Sequence, residues 1–291
     1  MEVVLLGALA GMAFGAYTVA IRVAMGQRRD AAAGGAIAST GAFLIVLAVA
    51  AAAGDAGALT DDPLSLLPFV LIGIAVPGLS QLAFANAVTA AGPSRAAVVV
   101  GTAPLLSSAL AVIVLGEPWR PALAVGTVLV VLGGASLAWE RERPAGFAAY
   151  GIALAALCAI LFAIRDNVVR DQAADTDVPA LLGTTASLFG AALALIVAVV
   201  VTRPARTVER LRAATRPFLI CAVVLGFAYA CLFIALDEGK VTIVAPLNAT
   251  QSLWAVAFSA IFLRKHEQIG PRLGVAAVLI GAGSALVAAT R

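Results

Sequence analysis

The chain has 291 residues, of which 62% are hydrophobic and only 12% are charged, and its mean hydropathy is +1.04. Soluble domains carry about twice that proportion of charge, so the composition excludes a water-soluble globular fold. The net charge of +3 does not indicate a nucleic acid partner, because the basic residues lie at the edges of apolar stretches, where they favour contact with anionic lipid headgroups.

The apolar sequence is divided into ten stretches that contain no Asp, Glu, Lys, Arg or His. Each has the length of about 20 residues that a helix needs to cross the hydrocarbon core of a bilayer. Because a lipid-exposed backbone must satisfy its own hydrogen bonds, we predict an all-α, multi-pass protein of the cell membrane. In chain order, the predicted spans 1 to 10 are residues 3–21, 31–54, 63–94, 96–116, 121–139, 144–164, 178–202, 217–236, 241–263 and 273–290.

Landmarks of the first half of the chain recur in the second half, in the same order and 143 to 150 residues later. We therefore predict two homologous repeats of five spans, residues 1–140 and 146–291. An odd number of spans inserts the second repeat upside down, which is a common plan of secondary transporters with a substrate site at the repeat interface. The matched landmarks are Arg22 with Arg165, Gln81 with Tyr229, Glu117 with Glu267, and Gly133 with Gly283.

Several motifs carry a resemblance to a known family. Span 4 ends in Gly116-Glu117-Pro118, spans 5 and 10 are rich in glycine, and Val244-Ala245-Pro246-Leu247-Asn248-Ala249-Thr250 opens span 9. With the two five-helix repeats, these features resemble the EamA family of the drug/metabolite transporter superfamily. The resemblance implies export or exchange of amino acids or other small metabolites through a central cavity. It also implies that spans 1, 3, 4, 6, 8 and 9 line that cavity, with spans 5 and 10 at the periphery.

Polar side chains inside the spans are candidates to line this cavity, because a polar group without a partner is costly in hydrocarbon. The alternative for each is a hydrogen bond that packs two helices together. Gln81 and Tyr229 are supported by their equivalent positions in the two repeats, and Asn248 and Gln251 lie one helical turn apart beside Pro246. The candidate cavity residues are Tyr17, Gln81, Asn86, Thr102, Tyr229, Asn248, Gln251 and Trp254.

Two arginine–glutamate pairs are candidate gates. Arg22 and Glu267 lie at the ends of spans 1 and 9 on one side of the membrane. Arg165 and Glu117 lie at the ends of spans 6 and 4 on the other side. Each pair would close the cavity toward its own side. Two alternatives stay open: the arginines extend to the lipid headgroups, and Asp166 competes with Glu117 for Arg165.

Prolines and missing acids bear on the mechanism. Pro77, Pro104 and Pro246 lie inside spans 3, 4 and 9, where the loss of a backbone donor predicts either a hinge or a static bend. No carboxylate lies at mid-depth in the predicted spans, where membrane proton relays place Asp, Glu or His. We therefore expect transport to depend only weakly on a proton gradient, as in a facilitator or exchanger.

Other classes of protein fit the sequence less well. An intramembrane enzyme would need a nucleophile and base or a metal cluster within the spans, so we expect no catalytic residue, no cofactor and no metal site. Cys158, Cys221 and Cys231 lie within predicted spans without metal-binding spacing. A non-transporting membrane receptor or assembly scaffold is the remaining alternative.

Orientation and assembly are predicted in part. Fourteen of the 19 basic residues flank the connections that follow odd-numbered spans. The positive-inside rule places those connections in the cytoplasm and both termini outside, whereas relatives are expected to have both termini inside, so the absolute direction stays open.

We expect the glycines of spans 5 and 10 to pack within a monomer, with a homodimer interface as the alternative. We expect residues 202–217 to form an interfacial amphipathic segment.

Overall fold

The computed structural model of the chain describes residues 2–26, 30–55, 63–91, 93–138, 149–262 and 271–289. These residues form helices connected by short turns, and no β-strand occurs among them. In chain order the α-helices are α1 (Glu2–Met25), α2 (Ala31–Ala53), α3 (Leu67–Gly73), α4 (Ser80–Ala91), α5 (Pro93–Val100), α6 (Ala103–Val114), α7 (Pro121–Ala138), α8 (Tyr150–Asp175), α9 (Ala180–Thr202), α10 (Thr207–Glu238), α11 (Val241–Asn248), α12 (Gln251–Phe262) and α13 (Pro271–Ala289).

Eight of the predicted spans correspond to helical segments that are long and apolar enough to cross a membrane. Spans 5 and 10 correspond to the shorter apolar segments Pro121–Ser136 and Val278–Ala289. Large apolar side chains face outward, as shown by Ile113 at 80% exposure and Val278 at 70%. Such a surface is stable against lipid tails rather than water. The length and composition of the helices therefore support eight membrane spans, and the count of ten spans stays a prediction.

Three of the predicted spans are interrupted helices. Span 3 consists of α3 and α4, joined by a π-helical turn (Ile74–Leu79) in which Val76 has an extended backbone and Pro77 follows. Span 4 breaks between α5 and α6 at residues 101–102, and Pro104 lies in the first turn of α6. Span 9 breaks between α11 and α12 at residues 249–250, shortly after Pro246. The prolines predicted as hinges or bends therefore lie within a few residues of the breaks, where the helical hydrogen-bond pattern is lost.

Two helix boundaries differ from the prediction. Helix α8 extends eleven residues beyond the predicted end of span 6 at Ile164, to Asp175. Helix α10 already begins at Thr207, so most of the segment predicted as a separate amphipathic element is the start of one 32-residue helix. The predicted spans end at the first charged residue, whereas the helices continue through it, and the interfacial position of residues 202–217 stays a prediction. Charged side chains do not interrupt the backbone hydrogen bonds of a helix when they find partners or water.

The helices of the two halves pack against each other in reciprocal pairs. A Cβ atom added at Gly34 of α2 would lie 2.5 Å from Cε1 of Phe218 on α10. The equivalent glycine 149 residues later, Gly183 of α9, packs in the same way against Phe69 of α3, where an added Cβ would lie 2.8 Å from the ring. Glycine therefore permits a close approach of an aromatic ring at corresponding positions in both halves.

Spans 5 and 10 pack against each other within the chain. A Cβ atom added at Gly126 of α7 would lie 2.8 Å from the carbonyl oxygen of Gly283, and one added at Gly283 of α13 would lie 2.6 Å from that of Gly126. Glycine at both positions lets the two backbones touch, which is the packing within one monomer that the sequence predicts. Gly281 differs, since an added Cβ there would meet nothing within 4 Å.

Candidate functional site

Three adjacent polar residues of α8 are buried in the interior of the molecule. Arg165 and Asp166 are each 5% exposed and the adjacent Asn167 is 4% exposed. Asp166 lies nine residues, about 14 Å along the helix axis, before the end of α8 at Asp175. The weak proton dependence was predicted from the uncharged stretches alone, which leave out Asp166, two residues beyond the predicted end of span 6. This buried acid makes proton coupling the alternative to that prediction.

Asp166 is the hydrogen-bonding centre of this group. Arg165 donates from Nε and Nη2 to Asp166 Oδ1, at 3.0 and 2.8 Å, and Ser107 of α6 donates its hydroxyl to Asp166 Oδ2 at 2.9 Å. Asn167 donates to the backbone oxygens of Ser107 and Ala163, at 3.0 and 2.9 Å. The carboxylate thus accepts charge-assisted hydrogen bonds on both oxygens, which offsets part of the cost of its burial.

Aromatic and amide side chains complete the arrangement. The Arg165 guanidinium lies 5.8 Å from the ring centroid of Tyr229 on α10, within the range of a cation–π contact. Tyr229 is 2% exposed and makes an edge-to-face contact with Phe14 of α1, at 5.4 Å between ring centroids. Tyr17 of α1 lies near the side chain of Gln81 on α4 and near Tyr229. We call these seven residues the central polar cluster: Tyr17, Gln81, Ser107, Arg165, Asp166, Asn167 and Tyr229.

The other predicted cavity residues lie elsewhere. Asn248 directly precedes the break in span 9, and Gln251 and Trp254 follow it, where the backbone packs directly on Gly11 and Gly15 of α1. Asn248 is 7% exposed, and its Oδ1 has no hydrogen-bond partner among the described residues. Gln251 is half-buried, and Trp254 stacks on Phe258 at 5.9 Å between ring centroids.

Two predicted cavity residues hydrogen bond within their own segment. Asn86 is exposed and donates its amide to the carbonyl oxygen of Leu82 on the same helix, at 2.9 Å. The Thr102 hydroxyl donates to the carbonyl oxygen of Val99 at 2.7 Å, at the break in span 4. The structure therefore brings Tyr17, Gln81 and Tyr229 together in the cluster, and it does not bring Asn86 or Thr102 into its hydrogen-bond network.

The predicted pair of Arg165 and Glu117 is not formed, because each residue has another partner. Arg165 bonds Asp166, the neighbour that the sequence already suggested as a competitor. Glu117, which is 9% exposed, accepts from the backbone nitrogens of Val241 and Thr242 at 2.7 and 3.0 Å and from the Thr242 hydroxyl at 2.7 Å. These nitrogens begin α11, where unpaired N–H groups and the helix dipole favour a carboxylate.

Arg170 of α8 supports the same turn from the other side. Its Nη1 donates to the carbonyl oxygens of Leu236 and Asp237, near the end of α10. The turn between α10 and α11 is therefore held by an acid at the start of one helix and a base at the end of the other, each complementing the local dipole. For the other predicted pair, Arg22 lies in the last turn of α1, and Glu267 lies outside the described residues.

A second ionic contact joins the two halves of the chain. Arg210 of α10 donates from Nε and Nη2 to Asp30, at 2.6 and 2.9 Å, and from Nη1 to the Val199 carbonyl and the Thr202 hydroxyl at the end of α9. Asp30 also accepts from the Ala33 nitrogen and so caps the start of α2. The contact borders a cavity of about 320 Å³ that is lined by the end of α1, by Asp30 and by the first part of α10.

The Asp30 contact makes stability depend on pH. Hydrogen bonds from Arg210 hold the pKa of Asp30 below its usual value. When the pKa of a carboxyl group is lower in the folded protein than in the unfolded chain, the group stabilises the fold. This contribution is complete at pH values above the unfolded pKa, about 3.9, and it is lost as the pH falls through the folded-state pKa. Asp30→Asn should therefore lower the melting temperature at pH 7 by about 2 °C or less, since the pair is partly exposed.

This difference should disappear when the pH falls well below 4. Thermal unfolding of the purified protein in detergent, followed by circular dichroism at both pH values, measures the effect. Glu209→Gln is the matched control, because Glu209 is an exposed acid that borders the same cavity. A difference between wild type and Asp30→Asn that grows as the pH falls would contradict the assignment.

The sequence contained a signal for the interior residues that the prediction missed. Arg165-Asp166-Asn167 is followed by Val168 and Val169, and no proline occurs until Pro179. A helix is therefore expected to continue through the charges, which places an Asp and an Asn inside it. The partner of Asp166 could not be read in the same way, since Ser107 lies 59 residues earlier on another helix.

Comparison with known proteins relates this architecture to one family. A family model described as "EamA-like transporter family" matches the chain twice, over residues 1–138 and 149–289. A comparison with curated proteins found no match. A solved structure described as "Crystal structure of protein" aligns with a TM-score of 0.79 and 19% sequence identity, over 98% of this chain and 96% of that one. At this identity the likeness shows the fold alone.

Proposed function

The chain belongs to the EamA-like transporter family and is a multi-pass membrane protein, and from this premise we propose that it is a secondary transporter of small polar metabolites such as amino acids. It would export or exchange them by alternating access. The central polar cluster is the observation that carries the proposal. Its side chains come from α1, α4 and α6 in the first half and from α8 and α10 in the second. Transporters of this plan bind substrate at such an interface.

Reciprocal packing supports two inverted repeats of five spans, residues 1–140 and 146–291. When two repeats are related by a two-fold axis, a contact between span 2 of one repeat and span 3 of the other occurs twice. Gly34 against Phe218 and Gly183 against Phe69 are such a pair of contacts. The two repeats would superpose by a rotation of about 180° around an axis in the membrane plane, as an odd number of spans requires.

The ionic contacts support one gate on each side of the membrane. With ten spans, Glu117 and the start of α11 lie on one side, and Asp30 and Arg210 lie on the other. Each contact joins a residue of the first repeat to a residue of the second. Their alternate opening would expose the cluster first to one side and then to the other. The pair of Arg22 and Glu267 stays a proposal on the side of Asp30.

Tyr229→Phe tests the assignment of the cluster. The variant keeps the ring that packs against Phe14 and removes only the hydroxyl beside Arg165 and Tyr17. We expect about a tenfold lower kcat/KM, which corresponds to about 1.4 kcal/mol of transition-state stabilisation. The measurement is efflux from proteoliposomes that contain a mixture of the twenty amino acids and small organic acids, analysed by mass spectrometry.

Asn86→Ala is the matched control, because its amide is exposed and hydrogen bonds its own helix. It should transport at the wild-type rate. Equal loss in both variants, with unchanged melting temperatures, would remove the cluster from the pathway. A wild-type protein that releases no solute from the mixture would instead favour a receptor or scaffold.

A further inference from the structure

Arg165 and Asp166 form a buried ion pair whose geometry leaves the arginine able to accept a second partner. Among the described residues, the buried charged side chains are these two and Glu117. Both arginine nitrogens that contact Asp166 bond the same oxygen, Oδ1, while Ser107 bonds Oδ2. A guanidinium carries five N–H donors and matches a carboxylate best when two nitrogens bond two oxygens. The Arg165 fork is therefore only partly used.

We propose, given the transport function proposed above, that Arg165 binds the carboxylate of a small anionic substrate and that Asp166 takes up one proton for each substrate. Without substrate, the Arg165 guanidinium is paired with the Asp166 carboxylate. When Asp166 is protonated it loses its negative charge, and the substrate carboxylate replaces it on Arg165. Loss of the proton from Asp166 restores the internal pair and releases the substrate.

The charges of the site support this exchange. The empty site holds one positive and one negative charge, and the loaded site holds Arg165, neutral Asp166 and one substrate carboxylate. The net charge is zero in both states, so neither state leaves an unpaired charge in the low-dielectric interior. A substrate with one net negative charge keeps this balance, whereas the ammonium group of a neutral zwitterion would add an unpaired positive charge. Proton and anion move in the same direction with a ratio of one to one.

The surroundings of Asp166 leave few other groups to take up the proton. Tyr229 of α10 faces the pair. The other helices packed on α8 are α3, α4, α5, α6 and α11. They carry one charged residue, Arg95 of α5, whose side chain lies outside the described residues. On α8 itself, Arg170 bonds the carbonyl oxygens at the end of α10, where the acids Asp237 and Glu238 lie. The other acids of α8 are Asp171 and Asp175, toward its end, and none of these groups hydrogen bonds the cluster.

Proton-driven uptake into proteoliposomes made with the full-length protein tests the proposal. The anionic probes are L-glutamate, L-aspartate, lactate and pyruvate, and L-glutamine and L-asparagine are the neutral counterparts of the first two. At zero membrane potential, a pH difference of one unit should accumulate at least one anionic probe about tenfold on the alkaline side, the limit for one proton per anion. Clamping the potential at another value should not change this ratio. Protein-free liposomes correct for passive entry of the acids.

Asp166→Asn separates coupling from transport. Asparagine imitates the protonated acid, so exchange of anion for anion should persist at a measurable rate, whereas accumulation driven by the pH difference should vanish. Asp171→Asn, which removes an exposed acid from the same helix, should behave as wild type. Unchanged proton-driven accumulation in Asp166→Asn would overturn the proposal.

A double variant tests the role of Arg165 without leaving an unpaired buried acid. Arg165→Gln combined with Asp166→Asn should lose anion exchange at least about 100-fold while its melting temperature stays close to that of Asp166→Asn. Exchange that survives in the double variant would overturn the proposal, and so would a wild type that moves only the neutral amino acids. If the wild type moves none of these probes and none of the solutes of the efflux mixture, the transport function itself fails.

Discussion

Removing the acid at residue 117 should shift the transporter toward the state that is open on the side of Glu117. The carboxylate accepts three hydrogen bonds from the start of α11, and hydrogen bonds to a charged group contribute about 1.5–3 kcal/mol. A loss of about 2 kcal/mol in Glu117→Ala would change the ratio of the two states about 30-fold. The effect exceeds that of an exposed ion pair, since Glu117 is buried and bonds a helix terminus.

Labelling of an introduced cysteine measures this shift. Gln251→Cys places a thiol at the half-buried break in span 9, in a background in which Cys158, Cys221 and Cys231 are replaced by alanine. An impermeant maleimide should react faster from the side of Glu117 in the Glu117→Ala variant and more slowly from the opposite side. Asp30→Asn should have the opposite effect, because its contact with Arg210 closes the other side. Equal changes from both sides would contradict a gate.

The helical architecture could be predicted because its determinants are local. The lengths of the uncharged stretches define eight of the spans, and Pro77 and Pro246 mark two of the breaks. The resemblance to the family was also carried by local motifs, such as the one around Glu117, and the family match confirms it. The end of α8 and the start of α10 were not predicted, since hydropathy does not distinguish a charged residue at the membrane surface from one with a partner inside the protein.

The site could be predicted only in part because its contacts join distant residues. Tyr229 was identified from the repeat, and the structure places it beside Arg165. The partner of Glu117 could not be read from the sequence, since the hydrogen bonds link it to backbone nitrogens 124 and 125 residues later. A backbone N–H group has no sequence signature, so a search for opposite charges paired Glu117 with Arg165 instead.

Gly15→Ala should have the largest effect on the fold of the substitutions considered, although it adds a single methyl group. Gly7, Gly11 and Gly15 form one face of α1, four residues apart, and this face packs on α11 and α12. A Cβ atom at Gly15 would lie 2.6 Å from Cβ of Trp254 and 2.8 Å from the backbone nitrogen of Ala255. The backbone of α12 would have to move, and overpacking of this kind costs about 1–3 kcal/mol.

Gly281→Ala should not lower the melting temperature, so it is the control for Gly15→Ala. Alanine has a higher helix propensity than glycine by about 1 kcal/mol, and an added Cβ at Gly281 meets nothing within 4 Å. Thermal unfolding in detergent should therefore show a lower melting temperature for Gly15→Ala and an equal or higher one for Gly281→Ala. Transport should fall at least about tenfold only in Gly15→Ala, because α1 carries Tyr17 and Phe14 of the cluster region and contacts the break in span 9. If Gly15→Ala stabilises the protein as Gly281→Ala does, α1 and α12 do not approach as closely as the structure shows.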